Sequence, residues 1–581
     1  MVDIRRKLDN RLRIWLAVMV ASLIALLLSL WFFQILRTDK YVSLASENRL
    51  RMVRFPPVRG EIFDRNGVPL ALNLNTFDIM GYPLDITKYS LIPIISDVLT
   101  KHGIPSTEED VAARIKKQYW APYRAVIIVR NLTLTQMTEI VSDPAFPKHL
   151  FPIQVTCRTY PAGPMVSHVL GYVAEISKEE LQEAGDRGYK GGDLIGKNGV
   201  EKSYEDLLRG LPGEAILEVD ARGRKVADLK ENLPEKGQDL NLTIDLGAQR
   251  LAGSLLGDFR GAVVAMDVRT GDVLVLFSAP VYDNNPLAWG VSGKEWSNLI
   301  YDSSKPMMNR AISGVYPPGS TFKPLVGLAA LSEKAINEKT TFFCNGAFKF
   351  GGRIFKCWKK WGHGRENIID AIRDSCDVFF YQTGLKTGID DIVKWASSFG
   401  VGEKSGIGLP GEQAGNVAGK EWKKKIVKER WYQGDTVNYS IGQGYLLMTP
   451  VQLARMYAAL ANGGKLLRPR LTPLDEPEYT QLDINSYNLK LIRKGLIEVV
   501  RKGTGAAAGK FDVSVAGKTG TCQNPHGPDH AVFAGYAPVE DPRYAAVAIV
   551  EAGEHGSTVA APIVGELLAY LVHHESNNND K

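Results

Sequence analysis

Cysteine is scarce. Five thiols among 581 residues cannot carry a disulfide scaffold, so stability must come from hydrophobic cores. A large excess of either charge is missing too. Lys and Arg number 70 against 64 Asp and Glu, for a net charge of +6, which leaves no electrostatic footprint for nucleic acid. A complete phosphate loop is also absent. Gly517-Lys518-Thr519 has the end of one, but aspartate stands at position 512 where glycine is required, and Cys522 to Pro525 cannot run on as a helix. Gly191 to Asn198 fails at Asn198, where Ser or Thr must hold magnesium. Nucleotide binding is excluded. What remains, 45% hydrophobic and 23% charged, is ordinary globular composition with length for two to four domains.

One apolar run is long. Ile14 to Leu36 holds no charged residue, and at about 1.5 Å per residue it spans roughly 34 Å as a helix, enough for a bilayer core. No second run reaches that length. Arg5, Arg6, Lys7, Arg11 and Arg13 precede it, so the positive-inside rule places residues 1–13 in the cytoplasm and the bulk of the chain outside. Ser43-Leu44-Ala45 is a conceivable signal cleavage site, but the run exceeds the ~7–15 residues of a signal core. The expectation is an uncleaved anchor over 14–36.

Residues 37–235 read as a mixed region with no catalytic constellation, a pedestal or spacer. Arg59 to Gly67 predicts a strand entering an Asn-Gly turn, returning over Val68 to Leu72. Ser106 to Gln118 and Thr133 to Val141 are periodic enough for amphipathic helices. Gly196 to Glu205 opens another, and Glu214 to Val219 predicts a strand. A polar boundary near 228–239 leads into a second domain over 236–575. There, strand signals sit at Asn241 to Asp245, Gly261 to Met266, Val273 to Phe277, Val513 to Ala516, Ala531 to Ala537 and Tyr544 to Glu551. Helical segments lie between, one opened by the Thr449-Pro450-Val451-Gln452 capping box. Pro562 to Leu571 closes the domain, and residues 576–581 predict a disordered tail. The pattern is α+β: one sheet assembled from distant segments, flanked by helices, with an all-helical lobe.

Three short motifs carry the chemistry. Tyr316-Pro317-Pro318-Gly319-Ser320-Thr321-Phe322-Lys323 predicts a loop feeding a helix, with the Ser320 hydroxyl and Lys323 amine on one face. A serine needs an adjacent base to become a nucleophile, and a buried neutral amine serves. No other serine here has lysine three residues on. Ser375-Cys376-Asp377 opens a helical run and could place two polar side chains in that pocket. Gly517-Lys518-Thr519-Gly520-Thr521 continues an apolar strand; a lysine, two hydroxyls and a bare glycine suit a carboxylate that approaches closely. The second Lys-Thr-Gly, Lys386 to Gly388, ends a helix and reads as structure.

In that order and setting, the three motifs resemble the penicillin-binding protein and serine β-lactamase superfamily over roughly residues 240–570. The anchor, with Arg59 to Gly67 and Gly196 to Gly213, is similar to the pedestal of class B penicillin-binding proteins. Trp431 to Asp435 and Gly442 to Tyr445 resemble the penicillin-binding protein 2 branch, transpeptidases of rod elongation, which commonly carries aspartate in the second motif.

The resemblance implies a peptidoglycan D,D-transpeptidase. Its catalytic residues would be Ser320, Lys323, Ser375, Asp377 and Lys518, with Lys323 kept neutral by burial and by a positive Lys518. Thr519, Gly520 and Thr521 would bind substrate, with Ser320 and Thr521 N–H groups as the oxyanion hole. It also implies β-lactam acylation and peptidoglycan stem peptides on lipid-linked glycan strands as substrate. Further implications are a SEDS-family glycosyltransferase and elongation complex as partners, and an inner-membrane location. A D,D-carboxypeptidase or a non-catalytic activator would keep the same motifs. Cys344, Cys357, His363 and Cys376 offer three thiols and one imidazole, a donor set suited to tetrahedral zinc. Free core thiols or a Cys344–Cys357 disulfide remain open from the residues alone; the resemblance implies zinc. Cys157 and Cys522 read as ordinary buried residues.

Overall fold

The computed structural model describes residues 2–38, 50–117, 125–219, 225–525 and 527–579. Ser43 to Ala45, Gln118 and the last two residues of the tail lie outside them. Two compact units emerge, residues 1–59 with 209–237, and residues 60–208 with 238–581. The domain boundary near residue 235 therefore marks one edge of a unit, while residues 60–208 belong to the same unit as residues 238–581.

In the first unit, an α-helix runs Val2–Trp31 and a π-helical turn follows over Phe32–Leu36. The helix starts well before Ile14 and takes in the basic residues. Asn10–Leu36 is long and apolar enough to cross a membrane and is exposed along its length. The unit also holds an antiparallel sheet of Leu50–Phe55, Gly213–Val219 and Lys225–Asn232.

In the second unit, the central sheet has the order Val273–Ala279, Gly261–Asp267, Tyr544–Val550, His530–Ala537, Ala516–Cys522, antiparallel throughout. Its strands come from both ends of the domain, as the pattern predicts. Successive side chains point to opposite faces. Ala262, Val264 and Met266 join one core with the helix Pro450–Ala461, while Val263 and Ala265 join the other with Leu246–Leu256 and Ala560–Asn579. Covered on both faces, these strands read as continuous apolar runs. Pro450–Ala461 is buried on every face except at Arg455, and so is apolar almost all round, with Gln452 in its capping box.

Three predicted elements differ. The strand at Asn241 to Asp245 is only Leu240–Asn241, because Asp245 caps the next helix by accepting from Ala248 N–H at 2.8 Å. The third-motif strand starts at Ala516, so Val513 to Val515 is not part of it. The last helix runs to Asn579, so the tail is helical to that point.

The Arg59 to Gly67 and Gly196 to Gly213 segments are structural. Asp64, 1% exposed, accepts from Asn66 and Val68 N–H in its own turn and from Leu246 N–H at the start of a helix of the second domain. A Cβ on Gly171 or Gly199 would collide with the backbone of the other's segment, and Gly196 is pressed against Glu201 in the same way. This cradle is filled by protein backbone, which explains its glycines without a phosphate.

Candidate active site

Residues Gly319–Phe322 form a 3-10 turn and Lys323–Ser332 an α-helix buried along nearly its whole length. Ser320 is half-buried at the turn and Lys323 is fully buried one turn on. Three residues per turn bring both to one side. Among the described residues, no hydrogen bond joins them. The Lys323 Nζ donates elsewhere: to the Ser375 carbonyl at 2.8 Å, to Ser375 Oγ at 3.2 Å and to Asp377 Oδ1 at 2.7 Å.

Ser375 reaches that amine through an unusual backbone. Its φ is +55°, a left-handed conformation that costs a β-carbon-bearing residue roughly 1–2 kcal/mol. Its carbonyl and its hydroxyl thereby both contact Lys323. Asp377 opens the helix Asp377–Thr387, where the helix dipole favours a carboxylate. Its second oxygen accepts from Trp358 N–H at 3.0 Å.

The third motif lies on the free edge of the sheet, with Lys518, Thr519, Gly520 and Thr521 all inside the strand Ala516–Cys522. The 3-10 turn packs against this edge. A Cβ on Gly520 would stand 3.0 Å from Thr321 Cγ2, and one on Gly319 would stand 2.7 Å from the Thr521 carbonyl. Thr521 is exposed, while Lys518 is fully buried and donates to the Thr519 carbonyl at 3.1 Å. Burial, and then the charge of Lys323, push the Lys518 amine well below the usual lysine range, against the pull of Asp377 and Asp374. This corrects the predicted charge arrangement. In the substrate-free protein Lys323 is the amine in the ion pair, and Lys518 is the one whose charge is disfavoured.

Tyr457 and Thr504 carry no sequence signal for the site, and Gly442 to Tyr445 stands out in the sequence only as a branch signature. Gly319 N–H donates to the Gly442 carbonyl at 2.9 Å, and Gln443 Nε2 to the Thr521 carbonyl at 3.0 Å. The Gly442 to Tyr445 loop therefore ties the 3-10 turn of Ser320 to the edge strand. Tyr457 OH donates to the Thr321 carbonyl at 2.9 Å, and Thr504 Oγ1 meets Thr519 Oγ1 at 2.7 Å. A glycine beside a signature glutamine was the only available hint.

The four cluster residues converge. Their donor atoms all lie within 4.8 Å of one another, and Cys344 Sγ and Cys357 Sγ are each 3.6 Å from His363 Nδ1. With metal–ligand bonds of about 2.3 Å to sulfur and 2.0 Å to nitrogen, a tetrahedral ion spaces its ligands by roughly 3.5–3.8 Å. The donor set fits zinc. The Cys376 thiol, hydrogen-bonded to Cys357, holds that thiol far below the ordinary range and is itself pushed up. All five cysteines are free and buried, so the structure has no Cys344–Cys357 disulfide. Cys157 and Cys522 are buried as read.

The profile described as penicillin binding protein transpeptidase domain matches residues 261–569, and the penicillin-binding protein dimerisation domain matches 54–242. Peptidoglycan D,D-transpeptidase MrdA of Escherichia coli K12 is 36% identical, with 96% of this chain and 92% of that protein covered. The chain belongs to the penicillin-binding protein 2 family of peptidoglycan D,D-transpeptidases. The Acinetobacter baumannii member is also 36% identical, over 91% of this chain and 82% of its own. Among solved structures, penicillin-binding protein 2 of Helicobacter pylori in complex with MreC aligns with a TM-score of 0.81 at 32% identity. It covers 90% of this chain and 99% of its own.

Gly442 has φ +74°, and a Cβ there would fall inside contact distance of the Gly319 carbonyl. Gly444 has φ +79°, but its nearest neighbour would be Asn438 Cβ at 3.9 Å. Both Gly→Ala changes carry the same left-handed strain, and only Gly442→Ala displaces Ser320. Penicillin acylation should therefore fall on the order of 100-fold in Gly442→Ala and far less in Gly444→Ala, read by stopped-flow or gel labelling. Equal rates would show that the turn tolerates displacement.

Proposed function

We infer that the chain cross-links peptidoglycan as a serine-type D,D-transpeptidase, and that Ser320 is its nucleophile. The observation that carries the residue roles is Lys323 Nζ, which links the Ser320 turn to Ser375 and Asp377 within hydrogen-bond distance, while the Lys518 strand packs against that same turn.

Two buried lysines face one carboxylate, and a low-dielectric cleft disfavours a charge on both. Without substrate, Lys323 holds the ion pair. A substrate carboxylate arriving at Lys518, Thr519 and Thr521 reverses that balance: Lys518 takes the charge and Lys323 gives up its proton. The freed amine then takes the Ser320 proton. Ser320 Oγ bonds to the penultimate D-alanine carbonyl carbon, and the N–H groups of Ser320 and Thr521 receive the developing oxyanion. The C–N bond breaks. The proton on Lys323 passes through Ser375 Oγ, its 3.2 Å neighbour, to the departing D-alanine nitrogen. An amine of a neighbouring stem peptide attacks the ester, loses a proton by the reverse route and restores Ser320. β-Lactams present the same amide under ring strain and acylate the same oxygen.

Cys344, Cys357, His363 and Cys376 would hold zinc as a structural ion, fixing Cys376 between Ser375 and Asp377. The apolar N-terminal helix anchors the chain in the inner membrane, and the basic residues before it keep the N-terminus inside, leaving the catalytic unit periplasmic. The Helicobacter pylori relative is solved with MreC. A further similar structure, 28% identical with TM-score 0.74, is described as a peptidoglycan synthase complex coordinating polymerization and crosslinking. These likenesses support assembly with a SEDS-type polymerase through the anchor and pedestal.

After penicillin treatment, mass spectrometry should place one adduct on the peptide containing Ser320, and Ser320→Ala should carry none. An adduct that survives in Ser320→Ala overturns the assignment. Purified protein should contain one zinc per chain, and chelation should slow acylation about 10-fold or more while lowering the melting temperature. Protein free of metal and indifferent to chelators would refute the zinc reading.

A further inference from the structure

The segment around the thiol cluster has an unusual surface. From Lys339 to Arg365 there is no Asp or Glu, and seven Lys or Arg: Lys339, Lys349, Arg353, Lys356, Lys359, Lys360 and Arg365. All seven are exposed. Among the described residues, Lys349, Arg353, Lys356 and Lys360 have no acidic partner, while the Lys359 charge acts on Asp374 alone. Large apolar side chains stand among these cations: Phe343 is 67% exposed, Ile354 60%, Trp358 60% and Trp361 84%. They alternate in pairs. Phe343 registers with Arg365 and Ile354 with Lys349, and the Lys360 amine lies 5.2 Å from the Trp361 ring centre. A scattered exposed apolar residue needs no explanation, but four of them within one short, acid-free segment do.

The patch is also held rigid. Cys357 N–H donates to the Gly346 carbonyl and Gly362 N–H to the Lys359 carbonyl, each at 2.9 Å. Gly346 and Gly362, at φ +94° and +79°, sit so close to the Lys360 and Cys344 carbonyls that a Cβ on either would collide. The indole N–H of Trp358 donates to the Asp374 carbonyl at 3.0 Å. The backbone of the knuckle 357–363 and the Trp358 indole are thus fixed in advance, which lowers the entropy lost on binding. It is also continuous with the catalytic centre. Trp358 N–H binds one oxygen of Asp377, whose other oxygen binds Lys323.

We propose that this knuckle and the neighbouring hairpin, Ala347–Phe350 paired with Arg353–Lys356, form a docking surface for the peptidoglycan strand, taking sugar rings on the exposed aromatics and stem-peptide carboxylates on the unpaired cations. The inference rests on the transpeptidase reading. A sugar ring offers an apolar C–H face that stacks on an indole, and uncross-linked stem peptides carry free carboxylates. The alternation of ring and cation matches that alternation of saccharide and acid. The surface lies one hydrogen bond from the catalytic carboxylate, where a strand must lie for its peptide to enter the cleft.

The test uses full-length protein in detergent, first acylated with penicillin so that the cleft itself is filled. Binding of soluble, uncross-linked, peptide-bearing glycan strands is then measured by calorimetry. The combined variant Trp361→Ala, Lys359→Ala, Lys360→Ala should raise Kd about tenfold or more and still acylate with penicillin at the parent rate, which reports an intact cleft. Lys349→Glu with Arg353→Glu, on the neighbouring hairpin, should weaken binding in the same direction and serves if the first variant does not fold. Unchanged strand affinity in both variants would overturn the proposal. So would retained strand affinity with lost binding to anionic vesicles or to an acidic peptide. Because binding is read without turnover, a parent protein that fails to acylate at Ser320 condemns the transpeptidase reading alone.

Discussion

A single buried amine organises the catalytic unit. Lys323 Nζ is inaccessible to water, and its partners come from a segment more than 50 residues away: the Ser375 carbonyl, Ser375 Oγ and Asp377 Oδ1. An unpaired buried charge is prohibitively expensive, so these bonds fix where the helical lobe sits relative to the nucleophile turn. The left-handed backbone at Ser375 and the dipole of the helix that Asp377 opens both follow from that requirement. The remaining motif must then approach without adding a second charge. Lys518 does so by burial, which pushes its amine well below the usual lysine range.

The approach itself depends on absent side chains. Gly319, Gly442 and Gly520 lie where the 3-10 turn, the Gly442 loop and the edge strand come together, and a β-carbon on any of them meets a neighbouring segment. Hydrogen bonds from Gly319 N–H and Gln443 Nε2 lock that junction. On the other side of Ser375, Cys376 is drawn into the thiol–imidazole cluster, so the conformation of the second motif is held from both ends. The Lys323 contacts and the thiol–imidazole cluster thus share one stretch of three residues, Ser375 to Asp377.

Much of this was legible because the reactive side chains announce themselves. Ser320 with Lys323, the Lys518 to Thr521 strand and the three thiols with one imidazole each combine uncommon residue types, and the structure brings each set together. The both-face burial of Gly261–Asp267 and Tyr544–Val550 likewise follows from their unbroken apolar character. What was hidden depends on tertiary context. Nothing local marks Gly442 as the partner of Gly319, more than 120 residues away. The left-handed φ of Ser375 has no sequence signal, since serine rarely adopts it. The charge order of the two lysines turns on which one Asp377 reaches. The length of the final helix past Leu571 was missed because its polar end lacks the apolar periodicity that marks a packed helix.

The central claim is that Lys323 leaves its ion pair when a carboxylate reaches Lys518, and thereby serves Ser320. A crystal structure of the penicillin-treated protein tests it most directly. The account predicts a covalent ester on Ser320 Oγ, the drug carboxylate against Lys518 and Thr521, and Lys323 Nζ within hydrogen-bond reach of the ester oxygen. An ester on Ser320 with its carboxylate away from the Ala516–Cys522 strand, or with Lys323 still bound only to Ser375 and Asp377, would contradict it.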